Sequence, residues 1–259
     1  MSYIDKLFNL KGKIAIVIGS GGHLCSEISK GLYLSGVQLI LLDIRKEKND
    51  VLIKSLKNYG KRKIYNFKFD ANEEADYKIL LKFVKKNFNS IDILINGAGI
   101  NTPKNITEID TNEWNEVIQS HINTTFLSCK YFGGFMMKKK KGSIINFSSA
   151  SAGPPLSKAF PYSVGKAGVK NLTQNIAREW AKYNVRVNCI RPGFFPTKWN
   201  IKNFIDESRK KNILGHTPMN RFGKTHELIA PILLLASDAS SFITGSELTV
   251  DGGFSSMTI

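Results

Sequence analysis

The chain has 259 residues, 42% of them hydrophobic, with a formal net charge of +16 and a pI near 9.7. That length suits one compact α/β domain with a large core, and no run approaches the roughly twenty uninterrupted apolar residues of a membrane span. Cys25, Cys129 and Cys189 are scattered, with no metal spacing and no even disulfide framework, so no metal site is expected and a reducing, cytoplasmic setting fits. The lysines are spread along the chain, which argues against a nucleic-acid surface. The run Lys138–Lys141 falls between a predicted helix and a predicted strand, where a solvated turn is expected.

Strands and helices alternate. Lys13–Ile18 is an apolar run that ends in Gly19-Ser20-Gly21-Gly22, and a helical pattern covers Leu24 to Ser35. Glycines at a strand-to-helix turn let the backbone approach a pyrophosphate, with free N–H groups at the helix start. Against the Gly-x-Gly-x-x-Gly pattern the match is partial, because Leu24 occupies the third glycine place. Val37–Leu42 is the second strand and ends at Asp43. An acidic side chain there can accept from both adenosine ribose hydroxyls and repels a 2′-phosphate, which favours NAD over NADP. Arg45 pulls the other way.

A helix through Lys46–Asn58 and a strand near Ile64–Phe69 follow; Asp70, at that strand's end, is placed to reach an adenine amine or simply to cap the next helix. Glu73–Asn87 is helical, Ile91–Ile95 a short buried strand before Asn96-Gly97-Ala98-Gly99, and Thr111–Met137 one long helix. Ser143–Phe147 is a strand, followed by a serine segment and a helix to about Tyr183. Val185–Ile190 stops at Pro192-Gly193. Helices near Ile201–Asn212 and His226–Leu235 lead to the last strand, Glu247–Val250. Short apolar runs alternating with helices predict a single-domain α/β fold: a Rossmann-type, doubly wound parallel sheet flanked by helices.

Tyr162 and Lys166 are four apart on the predicted helix, with Ser149 thirteen residues before the tyrosine. Side chains at that spacing share a face. A phenol with its usual pKa of about 10 is a poor base at neutral pH. A cation about 4 Å away, at an effective dielectric near 20, interacts by about 4 kcal/mol, enough to make it a usable general acid/base. The serine can hold a substrate oxygen. The same spacing recurs at Tyr59 and Lys63, but Gly60 interrupts it and it reads as a loop entering a strand.

Together these residues resemble the short-chain dehydrogenase/reductase family over nearly the whole chain. The carriers are the turn at Gly19, Asn96-Gly97-Ala98-Gly99, Ser149, Tyr162 with Lys166, Pro192-Gly193 with Thr197, and Ser246 with Val250-Asp251-Gly252-Gly253. Gly21-Gly22-His23-Leu24-Cys25, Pro192-Gly193-Phe194-Phe195, His216-Thr217-Pro218-Met219 and Gly252-Gly253-Phe254 are similar to its sugar-acid and polyol members, of the D-mannonate oxidoreductase and gluconate 5-dehydrogenase type. The resemblance implies that Tyr162 is the acid/base, that Lys166 lowers its pKa and holds the nicotinamide ribose, and that Ser149 orients the substrate. It implies that Gly19, Gly21, Gly22, His23 and Leu24 meet the dinucleotide, that Asn96 and Gly99 line its cleft, and that Gly193 and Thr197 flank the nicotinamide. Asn188 is implied as a structural asparagine.

Two departures stand out. His23 and Cys25 occupy places where the family has glycine. His121 stands five residues before Phe126, where the family has an asparagine that supports a water-mediated proton path; Asn123 is two out of register. A histidine there is expected to donate, accept and titrate near neutral pH, or else only to pack. The resemblance also implies a substrate lid over about 194–216. Its Lys198, Trp199, Lys202, Arg209, Lys210 and Lys211 suit a carboxylate or phosphate, so the expected substrate is anionic or polyhydroxylated. A homotetramer or homodimer is implied. Two alternatives stay open: an NADPH-dependent 3-oxoacyl reductase, which Asp43 disfavours, and a non-catalytic dinucleotide- or nucleic-acid-binding protein on the same fold, which the intact Ser149, Tyr162 and Lys166 disfavour.

Overall fold

The computed structural model describes residues 2–60, 62–197, 200–201 and 205–257. Among these, seven strands form one parallel sheet: β1 (Ile14–Ile18), β2 (Gln38–Asp43), β3 (Ile64–Lys68), β4 (Ile93–Asn96), β5 (Gly142–Phe147), β6 (Val185–Pro192) and β7 (Glu247–Val250). Their spatial order is β3-β2-β1-β4-β5-β6-β7. The expected doubly wound sheet is thus observed. The order reverses between β1 and β4, and such a switch point opens a crevice at the carboxyl ends of the strands. Ile18 lies level with both Leu42 and Asn96, so the first glycine turn, Asp43 and the Gly97–Gly99 loop emerge at one edge.

The period-two alternation of each strand decides which face it feeds. Val17, Leu39, Leu41, Ile93 and Ile95 pack on one side, under α2 (His23–Leu34), α3 (Lys46–Leu56) and a later helix (Ile229–Ala236) through Ile28, Leu32, Leu52, Leu56, Ile232 and Leu235. Ile16, Ile18, Ile40, Leu42, Leu94 and Ile144 pack on the other. That side is covered by α4 (Glu74–Asn87), by a helical rod from Thr111 to Lys139, and by the helix that carries Tyr162. A short helix, α1 (Tyr3–Leu7), precedes β1.

The rod is where sequence and structure differ most usefully. One unbroken α-helix is expected; the structure has α5 (Thr111–Ile118), α6 (Thr124–Ser128) and α7 (Gly134–Lys139), joined by π turns at Gln119–Asn123 and Cys129–Gly133. Its start is written locally: Asp110 accepts the N–H of Asn112 and Glu113, and Glu113 reaches back to the Asp110 N–H, a capping box. The π turns leave no such local mark.

After β5, α8 (Phe160–Trp180) begins with Pro161 in its first turn, where the missing N–H costs nothing. Of the helix expected near Ile201–Asn212, Asn200 and Ile201 are helical, and the latter half is α9 (Glu207–Gly215), whose start the Asp206 carboxylate caps by accepting the Arg209 N–H at 2.7 Å. The Ile229–Ala236 helix, α10, follows a 3-10 turn at Thr225–Leu228. No helix among the described residues is long and apolar enough to cross a membrane.

Candidate active site

The first glycine turn sits at the crevice. Gly19 has φ +75°, and a Cβ there would come within 2.9 Å of the Ala98 nitrogen, so only glycine lets the turn lie against the Gly97–Gly99 loop. Gly22 is the N-cap of α2 and no side chain caps that turn, which leaves its first N–H groups and the positive end of the helix for an anion. The Asp43 carboxylate closes the turn from below, accepting the Gly21 N–H at 2.8 Å and the Arg45 N–H at 2.9 Å. Behind it, a buried chain that the sequence did not flag runs from the Ser20 hydroxyl to Asn49 and on to Asn66.

His23 is the exposed first residue of α2, and Leu24 lines the cleft. Cys25 packs its sulfur against Gly97, where an added Cβ would be 2.1 Å away. Asp70 accepts the Asn72 N–H in a strand-end turn. The Asn96 amide donates to Asn146, which donates to Thr173, so its side chain braces β4, β5 and α8 beneath the cleft. Asn188 links β6 to the loop before β7, accepting the Ser246 N–H and donating to the Ile243 carbonyl, the structural role expected of it.

Ser149, Tyr162, Lys166 and His121 converge. They line a cleft of about 250 Å³ together with Gly97, Ala98, Gly99 and Gly193. This cleft meets a larger one of about 760 Å³, and Ser149, Tyr162, Gly193 and Phe195 border both. The Ser149 oxygen accepts from the Ser151 N–H and hydroxyl, at 3.2 and 3.1 Å, so its own hydrogen is left for a partner in the cleft. Lys166 is buried and its ammonium donates to the Phe147 carbonyl at 2.8 Å. Burial brings its pKa down to about 8.

Burial also raises the Tyr162 phenol, with the Ser149 hydroxyl opposing the shift. The four-residue spacing predicts that lysine dominates and lowers it. Here Lys166 lies 5.7 Å from the centre of the tyrosine ring and is pinned to Phe147, so burial outweighs its charge. His121 departs from expectation more sharply. Burial, aided by Lys166, holds the imidazole down to about 3, so it does not titrate near neutral pH.

On the outer side, the larger cleft is walled by Asn101 and Pro103, by Leu156–Ala159 and by α9, with Arg209 and Asp206 among its lining residues. Lys158, unnoticed in the sequence, lies on the facing wall with φ +55°. Thr197 turns inward on itself, exchanging hydrogen bonds with Asn200. Gly193 passes under Asp251, where a Cβ would be 2.7 Å from the Asp251 Cα. Lys198, Trp199 and Lys202 of the expected lid lie outside the described residues. Tyr59, of the second Tyr-x-x-x-Lys match, is exposed in a 3-10 turn.

A family model described as enoyl-(acyl carrier protein) reductase matches residues 24–255. A 2-dehydro-3-deoxy-D-gluconate 5-dehydrogenase of Formosa agariphila is 32% identical, covering 95% of this chain and 94% of its own. A 5-keto-D-gluconate 5-reductase of Escherichia coli is 31% identical, covering 96% and 98%. The crystal structure of a gluconate 5-dehydrogenase from Burkholderia cenocepacia, in complex with NADP and tartrate, superposes with a TM-score of 0.92 at 27% identity, over 99% of this chain and all of that one.

Proposed function

This chain belongs to the short-chain dehydrogenase/reductase family, and we propose that it moves hydride between NAD(H) and a secondary alcohol or ketone of a sugar acid or related polyol. One observation carries the reading: Ser149, Tyr162 and Lys166 stand where a small cleft beside the glycine turns opens into a larger, polar one. The cradle fits a dinucleotide. Gly19, Gly21, Gly22 and Leu24 would take the pyrophosphate, with His23 at its edge, and Asp43 the adenosine ribose. Asp70 would lie toward the adenine, and Gly99, above Asn96, with Gly193 and Thr197 toward the nicotinamide. When bound, the nicotinamide accepts or supplies the hydride and, oxidised, brings a positive charge.

The protein's part follows from its own atoms. The Ser149 hydroxyl, free to donate, holds the substrate oxygen. Tyr162 gives that oxygen a proton when a ketone is reduced and takes it back when an alcohol is oxidised. The Lys166 ammonium, fixed by the Phe147 carbonyl, offers its remaining hydrogens to the cleft and its charge to the phenolate. In the outer cleft Arg209 and Lys158 are cations with no carboxylate partner among the described residues, which supports an anionic substrate. The segment around 194–216 then acts as the lid.

Asp43 supports NAD: each of its oxygens accepts one backbone N–H and keeps a lone pair for a ribose hydroxyl. Three buried free thiols support a reducing, cytoplasmic setting. Phe126 on the rod and Phe160 and Val164 on α8 are 47%, 38% and 49% exposed, and this apolar surface supports a homodimer or homotetramer.

The test is a panel of sugar acids, polyols and 3-oxoacyl thioesters, read by NADH and NADPH absorbance. Turnover of sugar acids with NAD(H) is expected. Turnover confined to 3-oxoacyl thioesters with NADPH overturns the reading.

A further inference from the structure

Ile100 closes the loop that runs along the cofactor side of the inner cleft, and both of its backbone polar groups are held from one place. Its N–H donates to the Ser120 hydroxyl at 3.2 Å, and its carbonyl lies 2.8 Å from His121 Nε2. Ser120 and His121 are consecutive residues of the first π turn, 5% and 2% exposed. A π turn is wider than an α turn, so consecutive side chains diverge by a smaller angle and can serve one target. The Ser120 hydroxyl is itself fixed by donating to the Val117 carbonyl at 2.8 Å.

The chemistry of the second contact is determined. A carbonyl only accepts, so His121 Nε2 carries the hydrogen. The ring is neutral at working pH, and Nδ1 is therefore a bare acceptor, buried and without a partner among the described residues. An imidazole whose one proton is committed to a carbonyl is badly placed to pass protons. It is well placed as a wedge. The Gly99 backbone lies against it, where a Cβ would come within 2.0 Å of Cε1, and Gly165 of α8 lies on its other side, where a Cβ would be 3.2 Å from the His121 Cβ. The imidazole and Tyr162 rings meet edge to face, 5.0 Å apart between centroids, at 81°.

We propose that Ser120 and His121 are positioning residues: the π turn clamps Ile100 and holds the Gly97–Ile100 loop and the Tyr162 ring in register across the inner cleft. The proposal rests on the functional reading above for what the cleft binds, and on geometry alone for the clamp.

Glutamine and asparagine separate the clamp from a relay. The glutamine amide nitrogen reaches the place of Nε2 and can donate to Ile100. Asparagine puts its amide at the place of Nδ1 and falls short of that carbonyl. The experiment compares His121→Gln, His121→Asn, His121→Leu and Ser120→Ala with the parent protein. Hydrogen exchange at the Ile100 and Asn101 amides is followed without dinucleotide, and the KM for dinucleotide and for substrate are measured separately.

Loss of one net buried hydrogen bond corresponds to about a five- to tenfold effect. His121→Leu, His121→Asn and Ser120→Ala should therefore speed loop exchange and raise the dinucleotide KM by about that factor, with the substrate KM little changed. His121→Gln should stay within about threefold of the parent on that scale. Parent-like behaviour of His121→Asn with loss in His121→Gln overturns the clamp in favour of an Nδ1 role. Unchanged exchange in every variant overturns it outright, as does faster exchange with no change in dinucleotide KM. A parent protein that turns over no dinucleotide, yet shows the exchange pattern, sinks the functional reading while upholding the clamp.

Discussion

At the scale of single residues, Tyr162 is half-buried beside a serine whose oxygen is already satisfied as an acceptor and a lysine whose ammonium is already anchored. Tyr162→Phe keeps the ring and its contact with His121 but removes the proton. Its turnover should fall by at least about 10²-fold, the lower end for positioned proton transfer, with NADH binding, followed by fluorescence titration, unchanged. Near-parental turnover would remove Tyr162 from the mechanism. A second residue-scale case is Cys25, which stands where the family resemblance implies glycine. Its sulfur fills the space over Gly97, so Gly97→Ala alone meets it at 2.1 Å, while the Cys25 Cβ is an ordinary 3.8 Å away. Gly97→Ala should cost about 1–3 kcal/mol as an overpacked site. Adding Cys25→Ala should recover most of that in a double-mutant cycle read by urea unfolding; simple additivity would show that the clash is relieved elsewhere.

At the scale of elements, the end of β2 and the start of α9 each carry a proposed specificity. Asp43 staples β2 to the glycine turn through the Gly21 N–H, so it holds the loop in addition to the ribose contact proposed for it. Asp43→Ala should narrow the preference for NAD(H) over NADP(H) and also weaken NADH binding. A parent enzyme that binds NADPH more tightly than NADH would show that exposed Arg45 governs the choice. On α9, Arg209 faces the outer cleft from the turn that Asp206 caps. Arg209→Gln leaves that cap in place, because the capping N–H is backbone. It should raise the KM for a sugar acid by about twofold to fivefold, the range of a partly exposed charge pair, and leave a neutral polyol unaffected. Equal effects on both substrates would make Arg209 a lid residue without charge recognition.

At the scale of the whole molecule, folding buries two ionisable groups in their costly surroundings. His121 is brought to about 3 from 6.5 and Lys166 to about 8 from 10.5, both chiefly by burial. The unfolded chain therefore binds more protons than the folded one between pH 6.5 and 3, and again between pH 10.5 and 8. Each group makes stability fall as pH is lowered through its window. His121→Gln should lose less melting temperature than the parent between pH 6.5 and 4, and Lys166→Met should flatten the rise above pH 8. Parallel melting curves for parent and variant would show that neither group is shifted as described.

The sequence by itself determined the class of this protein and picked out most of its candidate site. Apolar runs alternating with helical patterns determined the parallel sheet, because strands buried on both faces must be apolar throughout. The position of Asp43, the glycine turns and the Ser149–Tyr162–Lys166 set were readable because each depends on residue type at a fixed local spacing. What only the tertiary structure decided depends on approach between distant segments. The π turns carry no local mark: the residues at their ends, Gln119, Asn123, Cys129 and Gly133, have ordinary helical angles. Whether His121 carries protons or holds a carbonyl turned on where Ile100 lies, twenty-one residues away. The Tyr162 phenol was expected to be lowered by a neighbouring charge; burial, which no spacing reveals, raises it instead.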